Sequence, residues 1–145
     1  MNSRLVVLVV DDNPADIVLA REALAGSSIH SEIADCADGE EALEFLHKRQ
    51  KYVNAMRPDL VILDLKLPKK DGLSVLAAVK SDPDLKQIPV VIFSTSQLHQ
   101  DIMRSYELGA NCYVSKPGNL NDFFSAVKSI EEFWFGVVRL PPQGE

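Results

Sequence analysis

Pro58-Asp59-Leu60-Val61-Ile62-Leu63-Asp64 sets four aliphatic residues between two acids, with nothing polar among them. A continuous apolar run of this length, bounded by turn residues, suits a central parallel strand buried on both faces. Leu65-Lys66-Leu67-Pro68-Lys69-Lys70-Asp71-Gly72 then leaves the sheet as a loop. Asp64 therefore falls at the carboxyl end of a core strand, where open α/β sheets place their ligand chemistry. Taken alone, Asp64 reads equally well as a turn or capping residue, because aspartate is common in turns.

The pattern repeats on either side. Leu5 to Val10 is six consecutive aliphatic residues, a buried strand that stops at Asp11-Asp12-Asn13-Pro14. Pro14 suits the first turn of a helix and Asn13 its N-cap. Ile17, Ala20, Ala23 and Leu24 mark the helix's apolar face, and Gly26 its end. Ile29 to Ala37 reads as a more polar strand at a sheet edge, and Glu40 to about Val53 as a helix. The polar segment from His47 to Arg57 is long for a connection. A helix from Leu73 to Ser81 follows the Asp64 loop. Ile88 to Phe93 is a further buried strand, stopping at Ser94-Thr95-Ser96. Gln97 to Leu108 is a helix capped by Gly109, Asn111 to Ser115 a short strand, and Asn121 to about Phe135 a last helix. Strand and helix thus alternate five times, the signature of a doubly wound α/β sheet with helices on both faces.

Composition narrows the function. The chain has 145 residues, one domain's worth, and is 46% hydrophobic and 25% charged. A net charge of −6 argues against sequence-independent nucleic-acid binding, which needs clustered Lys and Arg. No apolar run approaches a membrane span. Met1-Asn2-Ser3-Arg4 offers no signal-peptide cleavage pattern, so a cytoplasmic location is expected. Cys36 and Cys112, far apart and outside any CxxC pattern, read as small buried hydrophobes.

The chemistry lies at the strand ends. The first strand delivers Asp11 and Asp12, the third Asp64, the fourth Ser94 and the fifth Lys116. In a parallel sheet all carboxyl ends share one edge, so these side chains can converge. Three carboxylates close together repel unless a cation neutralises them. Mg²⁺ suits such a site, because it takes a few carboxylates and keeps waters and phosphate oxygens as its other ligands. With a hydroxyl and an ammonium added, the set makes a receptor for a phosphoryl group, and Asp64 is its natural nucleophile. Singly, each residue has a plainer reading: helix-capping acids, a turn hydroxyl, a solvated lysine. Their joint placement carries the inference.

These residues are similar to those of the receiver domain of bacterial two-component response regulators. The resemblance spans about residues 4 to 135 and rests on Val9-Val10-Asp11-Asp12, Leu63-Asp64 with Pro68, Asp71 and Gly72, Ser94-Thr95, Gly109-Ala110 and Lys116-Pro117. It implies a flavodoxin-like sheet in the order 2-1-3-4-5. It also implies that Asp64 takes phosphate from a histidine kinase's phosphohistidine. Asp12, Asp64 and the backbone carbonyl of Lys66 would bind Mg²⁺ directly, with Asp11 acting through water. Ser94 and Lys116 would bind phosphoryl oxygens, and a cis Lys116–Pro117 peptide would bend the lysine inward. Phosphorylation would draw Ser94 inward, with Tyr113 following, as a switch.

Asp12-Asn13-Pro14-Ala15-Asp16, Leu67-Pro68-Lys69-Lys70-Asp71-Gly72 and Glu131-Glu132-Phe133-Trp134-Phe135 resemble the single-domain regulators that partner bacterial and cyanobacterial phytochromes. A phytochrome-type histidine kinase is the expected partner. Thr95, Gly118, Lys66 and Ser96 depart from the commonest receiver pattern or sit at its variable positions, which bears on the phosphoryl lifetime.

The whole chain, 1–145, reads as a single receiver domain, with 136–145 as a tail. Phe123, Val127, Ile130 and Trp134 fall at helical spacing and can face the core. Phe124, Phe133, Phe135, Val137, Val138 and Leu140 are left over, so the last helix and the tail up to Pro142, with Phe124, Phe133, Trp134 and Phe135, are expected to form a homodimer interface. The alternative is a tail folded back on its own domain. Two other classes are disfavoured. An aspartyl-phosphate phosphatase needs a second acid two residues past the nucleophile, where this chain has Lys66. A pseudo-receiver, acting as an interaction module without phosphorylation, typically lacks one of the acids, the hydroxyl or the lysine, and all are present here.

Overall fold

Strand β1 (Leu5–Val10) shows how the sheet is buried. Val7 and Val9 point into one core, Leu8 and Val10 into the other, as the two-residue period of a strand requires. The computed structural model describes residues 5–142. The expectations for Met1-Asn2-Ser3-Arg4 and for the last three residues of the tail therefore lie outside the described residues.

β1 pairs in parallel with β2 (Ser31–Cys36) on one side and β3 (Leu60–Leu63) on the other. β3 pairs with β4 (Val90–Ser94), and β4 with β5 (Cys112–Ser115), giving the five-stranded order β2-β1-β3-β4-β5. The apolar run around which the chain was read is the central strand. Its four residues, Leu60 to Leu63, are at most 2% exposed, each worth about 1.5–3 kcal/mol of burial.

Helices α1 (Pro14–Ala25) and α5 (Leu120–Glu131) cover one face, meeting Val7, Val9, Leu60 and Ile62 through Ala20, Leu24, Phe123, Val127 and Ile130. Helices α2 (Gly39–His47) and α3 (Gly72–Ser81) cover the other through Ala42, Phe45, Val75, Leu76 and Val79. Helix α4 (His99–Glu107) buries only Ser105 of its own residues. Caps set the helix starts. The Asn13 side chain accepts hydrogen bonds from the Ala15 and Asp16 amides, with Pro14 at the first helical position. Asp38 and Asp71 cap α2 and α3 in the same way. Gly109, at φ 105°, follows α4 in a conformation open chiefly to glycine.

Strands β2 and β4 each start two residues later than the sequence expectation, at Ser31 and Val90, and three helix boundaries differ for an identifiable reason. Helix α2 ends at His47, not near Val53, because Lys48 turns left-handed at φ 57° and caps it. A 3-10 turn at Gln50–Tyr52 then brings Tyr52 back, its ring edge-on to Phe45 and its hydroxyl donating to Glu41. Helix α4 starts at His99 rather than Gln97, because Ser96 and Leu98 are spent on the turn that precedes it. Helix α5 gives way at Glu132 to a π-helical turn, Glu132–Val137. That wider turn carries Trp134 and Phe135 onto the α1–α5 core and leaves Phe133 outside.

Candidate functional site: an acidic cluster around one lysine

The carboxyl ends of the strands bring Asp11, Asp12, Asp64 and Lys116 to one edge of the sheet. Carboxylate oxygens of Asp11, Asp12 and Asp64 all lie within 4.8 Å of one another. Between them sits the Lys116 ammonium, whose side chain is only 5% exposed. Its Nζ donates to Asp11 Oδ2 at 2.7 Å, to Asp16 Oδ2 at 2.8 Å and to Asp64 Oδ2 at 2.9 Å. An ammonium has three protons to give, and all are taken.

The backbone fixes the remaining oxygens. Asp11 Oδ1 accepts from the Asn13 amide at 2.9 Å and Asp64 Oδ1 from the Leu65 amide at 2.7 Å. Both acids are thus held through both oxygens and cannot turn away from the edge. Burial pushes the Asp11 carboxyl above its usual value, and the bonds from Lys116 and the Asn13 amide only partly offset this. For Lys116, burial favours the neutral amine, but hydrogen bonds to Asp11, Asp16 and Asp64 outweigh it and raise its pKa above the ordinary lysine value. The lysine stays charged, and one positive charge serves the three acids it bonds.

Lys116 reaches this position without a cis bond. All peptide bonds among the described residues are trans, Lys116–Pro117 included, which corrects the expectation of a cis peptide. The lysine's amide donates to the Ser94 carbonyl at 2.8 Å, extending the β4–β5 pairing by one residue, and the long side chain covers the rest.

Two glycines bring the loop after β3 into place. A Cβ on Gly72 would lie 2.1 Å from the Asp64 carbonyl oxygen, and one on Gly39 would lie 1.8 Å from the Lys70 carbonyl oxygen. The Gly72 amide donates to the Leu65 carbonyl at 2.8 Å. Helix α3 therefore begins directly against the backbone that carries Asp64. The loop and its surroundings make an open cleft lined by Asp12, Leu65, Lys66, Leu67, Pro68, Asp71, Leu73 and Asp101. Lys66 is exposed at its rim.

Ser94 is buried at the end of β4, where its Oγ accepts from the Ser96 amide at 3.2 Å. It shares the edge with the cluster, while its hydroxyl is engaged locally. Ser96, noted in the sequence only as a variable position bearing on the phosphoryl lifetime, is a hub of hydrogen bonds. Its Oγ donates to Asp101 Oδ2 at 2.6 Å, and its carbonyl accepts from the Tyr113 hydroxyl at 2.7 Å. Tyr113 is also tied through its amide to the Tyr106 hydroxyl of α4, at 3.1 Å. Asp16 was missed as a lysine partner. The signal for it was its place as the third residue of a helix starting at the same sheet edge.

Elsewhere, the cysteines are free thiols. Cys36 is buried, and burial pushes its pKa up to about 12, so it is inert. Cys112 is only half-buried, because β5 is an edge strand. Of the aromatic residues expected at an interface, Phe124, Trp134 and Phe135 pack partly against the core, while Phe133 is 51% exposed. Leu140, Pro141 and Pro142 run across the opposite edge of the sheet, beside Pro58 and Pro89. No helix among the described residues is long and apolar enough to cross a membrane.

A parallel five-stranded sheet with paired acids, a third acid and a lysine at its carboxyl edge defines a phosphoacceptor class. Residues 7–128 match the response regulator receiver domain family. The chain belongs to that family and is a phosphorelay response regulator of the two-component type. Among relatives, it is 48% identical over 140 residues to the response regulator Rcp1 of Synechocystis sp., covering 97% of this chain and 95% of that one. Two solved structures are also similar. One is the phosphorylated cyanobacterial phytochrome response regulator RcpA, with a TM-score of 0.94 and 51% identity over 97% of this chain and 100% of that one. The other is the Mn²⁺-bound form of Rcp1, with a TM-score of 0.91 and 48% identity over 95% of this chain and 99% of that one.

The cluster fits a divalent cation. It offers three close oxygen donors of hard character, carries excess negative charge, and already draws a buried ammonium into its centre.

Proposed function

We propose that Asp64 is the phosphoacceptor, and that the donor is the phosphohistidine of a histidine kinase. The observation that carries this reading is the grip of Lys116 on Asp64 and Asp11 beside Asp12. In the transfer, an Asp64 carboxylate oxygen attacks phosphorus. The P–N bond to the histidine breaks, the new O–P bond forms, and the imidazole keeps the electron pair. Asp64 is pre-oriented for attack because the Leu65 amide and Lys116 hold its two oxygens. Asp11, Asp12, Asp64 and the Lys66 carbonyl would hold Mg²⁺, which when bound neutralises charge on the phosphoryl oxygens. Lys116 supplies a fixed ammonium to the same oxygens, and the Ser94 hydroxyl, turned from the Ser96 amide, supplies a donor.

That turn gives the signal a path. Ser94, Ser96 and Tyr113 are joined by consecutive hydrogen bonds, so a change at Ser94 reaches the β4–α4 turn and β5. The kinase is of phytochrome type, a reading supported by the similarity to RcpA, a cyanobacterial phytochrome response regulator, and by the sequence resemblance. The protein acts in the cytoplasm as a single receiver unit over 1–145 that passes its signal through protein contacts, and it assists its own dephosphorylation. It forms a homodimer through the last helix and tail (136–145), where Phe133 and Val137 remain exposed at 51% and 72%.

Reduction of the aspartyl phosphate with borohydride, followed by peptide mapping, tests the assignment. After treatment with acetyl phosphate and Mg²⁺, the label is expected on Asp64. A label on another residue would overturn it.

A further inference from the structure

Asp16 is the one carboxylate on the Lys116 ammonium that lies outside the metal-binding cluster. It extends from the first turn of α1, and its side chain is 21% exposed against 6% for Asp11 and 11% for Asp64. Its position is fixed from the sheet edge. The Asn13 amide donates to Asp11, and the Asn13 side chain accepts from the Asp16 amide at 3.4 Å. Asp11, the helix start and Asp16 are therefore one continuous unit around the lysine.

The proton count on Lys116 makes this placement consequential. All three N–H bonds of the ammonium are spent on Asp11, Asp16 and Asp64. A phosphoryl group on Asp64 can inherit the bond that Asp64 Oδ2 held, so any second phosphoryl contact to the ammonium must displace a carboxylate. Asp11 is buried and tied by a backbone amide, and Asp64 carries the new group. Asp16 is the partner free to yield, being the most exposed of the three and rooted in a helix end whose dipole stabilises its charge without the lysine.

We propose that Asp16 is a positioning residue that competes with the phosphoryl group for the Lys116 ammonium. It holds the lysine in place before phosphorylation and opposes the phosphorylated state, both by retaining the third proton and by repelling the incoming anion. The inference rests on Asp64 being the phosphoacceptor. When acetyl phosphate is the donor, Asp64 attacks phosphorus, the bond from phosphorus to the acetyl oxygen breaks, and acetate leaves with the electron pair. Mg²⁺ is present but not consumed, and the bonding of the Lys116 ammonium is what changes.

The test is a split between two affinities, measured by calorimetry on the full chain. The first is for Mg²⁺ alone. The second is for beryllium trifluoride at saturating Mg²⁺, since it bonds a carboxylate oxygen and sets fluorines where phosphoryl oxygens would lie. In Asp16→Ala, beryllium trifluoride is expected to bind at least about fivefold more tightly, while Mg²⁺ binds no more tightly than in the wild type. Asp16→Asn should move the same way by less, since its amide oxygen still accepts from the lysine, and Asp16→Glu should stay within about twofold of wild type. A purely structural role would weaken both affinities. Unchanged or weaker beryllium trifluoride binding in Asp16→Ala and Asp16→Asn overturns the proposal. If the wild type shows no Mg²⁺-dependent binding, or Asp64→Asn still binds, the phosphoacceptor reading itself fails and the proposal falls with it.

Discussion

Lys116 carries the balance of charge at the sheet edge, and its loss should be felt as stability before it is felt as chemistry. Removing it leaves Asp11 and Asp64 desolvated beside each other with no counter-charge. Lys116→Ala is therefore expected to lose about 3 kcal/mol without divalent metal, and to regain part of it when Mg²⁺ is added. Denaturant unfolding with and without Mg²⁺ measures this, and a loss under about 1 kcal/mol would mean the acids are less coupled to the lysine than their distances indicate. At this scale much was legible in sequence. Asp11, Asp12, Asp64 and Lys116 are strand-end residues, and parallel topology alone brings strand ends together. The contacts of Asp16 and Ser96 were not legible, because a helix residue and a turn residue make them through side-chain direction, which composition and spacing do not encode.

Helix starts and ends decide how rigidly the site is held. Gly72 opens α3 against the Asp64–Leu65 backbone, and no side chain fits there. Gly72→Ala is expected to cost about 2–3 kcal/mol and to slow phosphorylation of Asp64, because the clash displaces that backbone. Full phosphorylation at wild-type stability would contradict it. At the far end of α5, Glu131 is fully buried. Its Oε2 accepts from the Ser31 hydroxyl at 3.3 Å, while Oε1 has no partner among the described residues. Burial raises its pKa above the usual 4.5, with the nearby Ser27 and Ser31 hydroxyls opposing. A carboxyl whose folded pKa is raised binds more protons folded than unfolded. Its contribution to stability is therefore present at low pH and lost as pH rises through the folded value. Glu131→Gln should thus gain stability relative to wild type as pH increases from about 4 to 8, read from melting temperatures across that range. A constant difference would contradict it.

Element boundaries were the least legible feature, for a physical reason. The α2 terminus depends on Tyr52 returning to Phe45 and Glu41, a tertiary contact. The switch to π-helical geometry after Glu131 likewise follows the docking of Trp134 and Phe135 rather than helix propensity. By contrast, the caps at Asn13 and the stop at Gly109 are local, and both stand where the sequence puts them.

At the scale of the whole molecule, the order β2-β1-β3-β4-β5 follows from alternation, strand polarity and family resemblance together. Strands buried on both faces, β1, β3 and β4, were the apolar runs; the edge strands β2 and β5 were the mixed ones. The aromatic tail was harder to read, because the same apolar residues can cover their own core or a second copy. The fold uses most of them internally and leaves Phe133 and Val137 outside. If the proposed homodimer forms, Val137→Asp is expected to shift it to monomer by light scattering at micromolar concentration, weakening association at least about tenfold. A monomeric wild type would contradict the dimer.

The most direct measurement is intact mass after incubation with acetyl phosphate, with Mg²⁺ present or chelated, in the wild type and in Asp64→Asn. The expected result is a gain of one phosphoryl group in the wild type, only with Mg²⁺, and none in the variant. No gain in the wild type, either from this donor or from a phosphorylated phytochrome-type kinase, would contradict the account and leave the chain an interaction module.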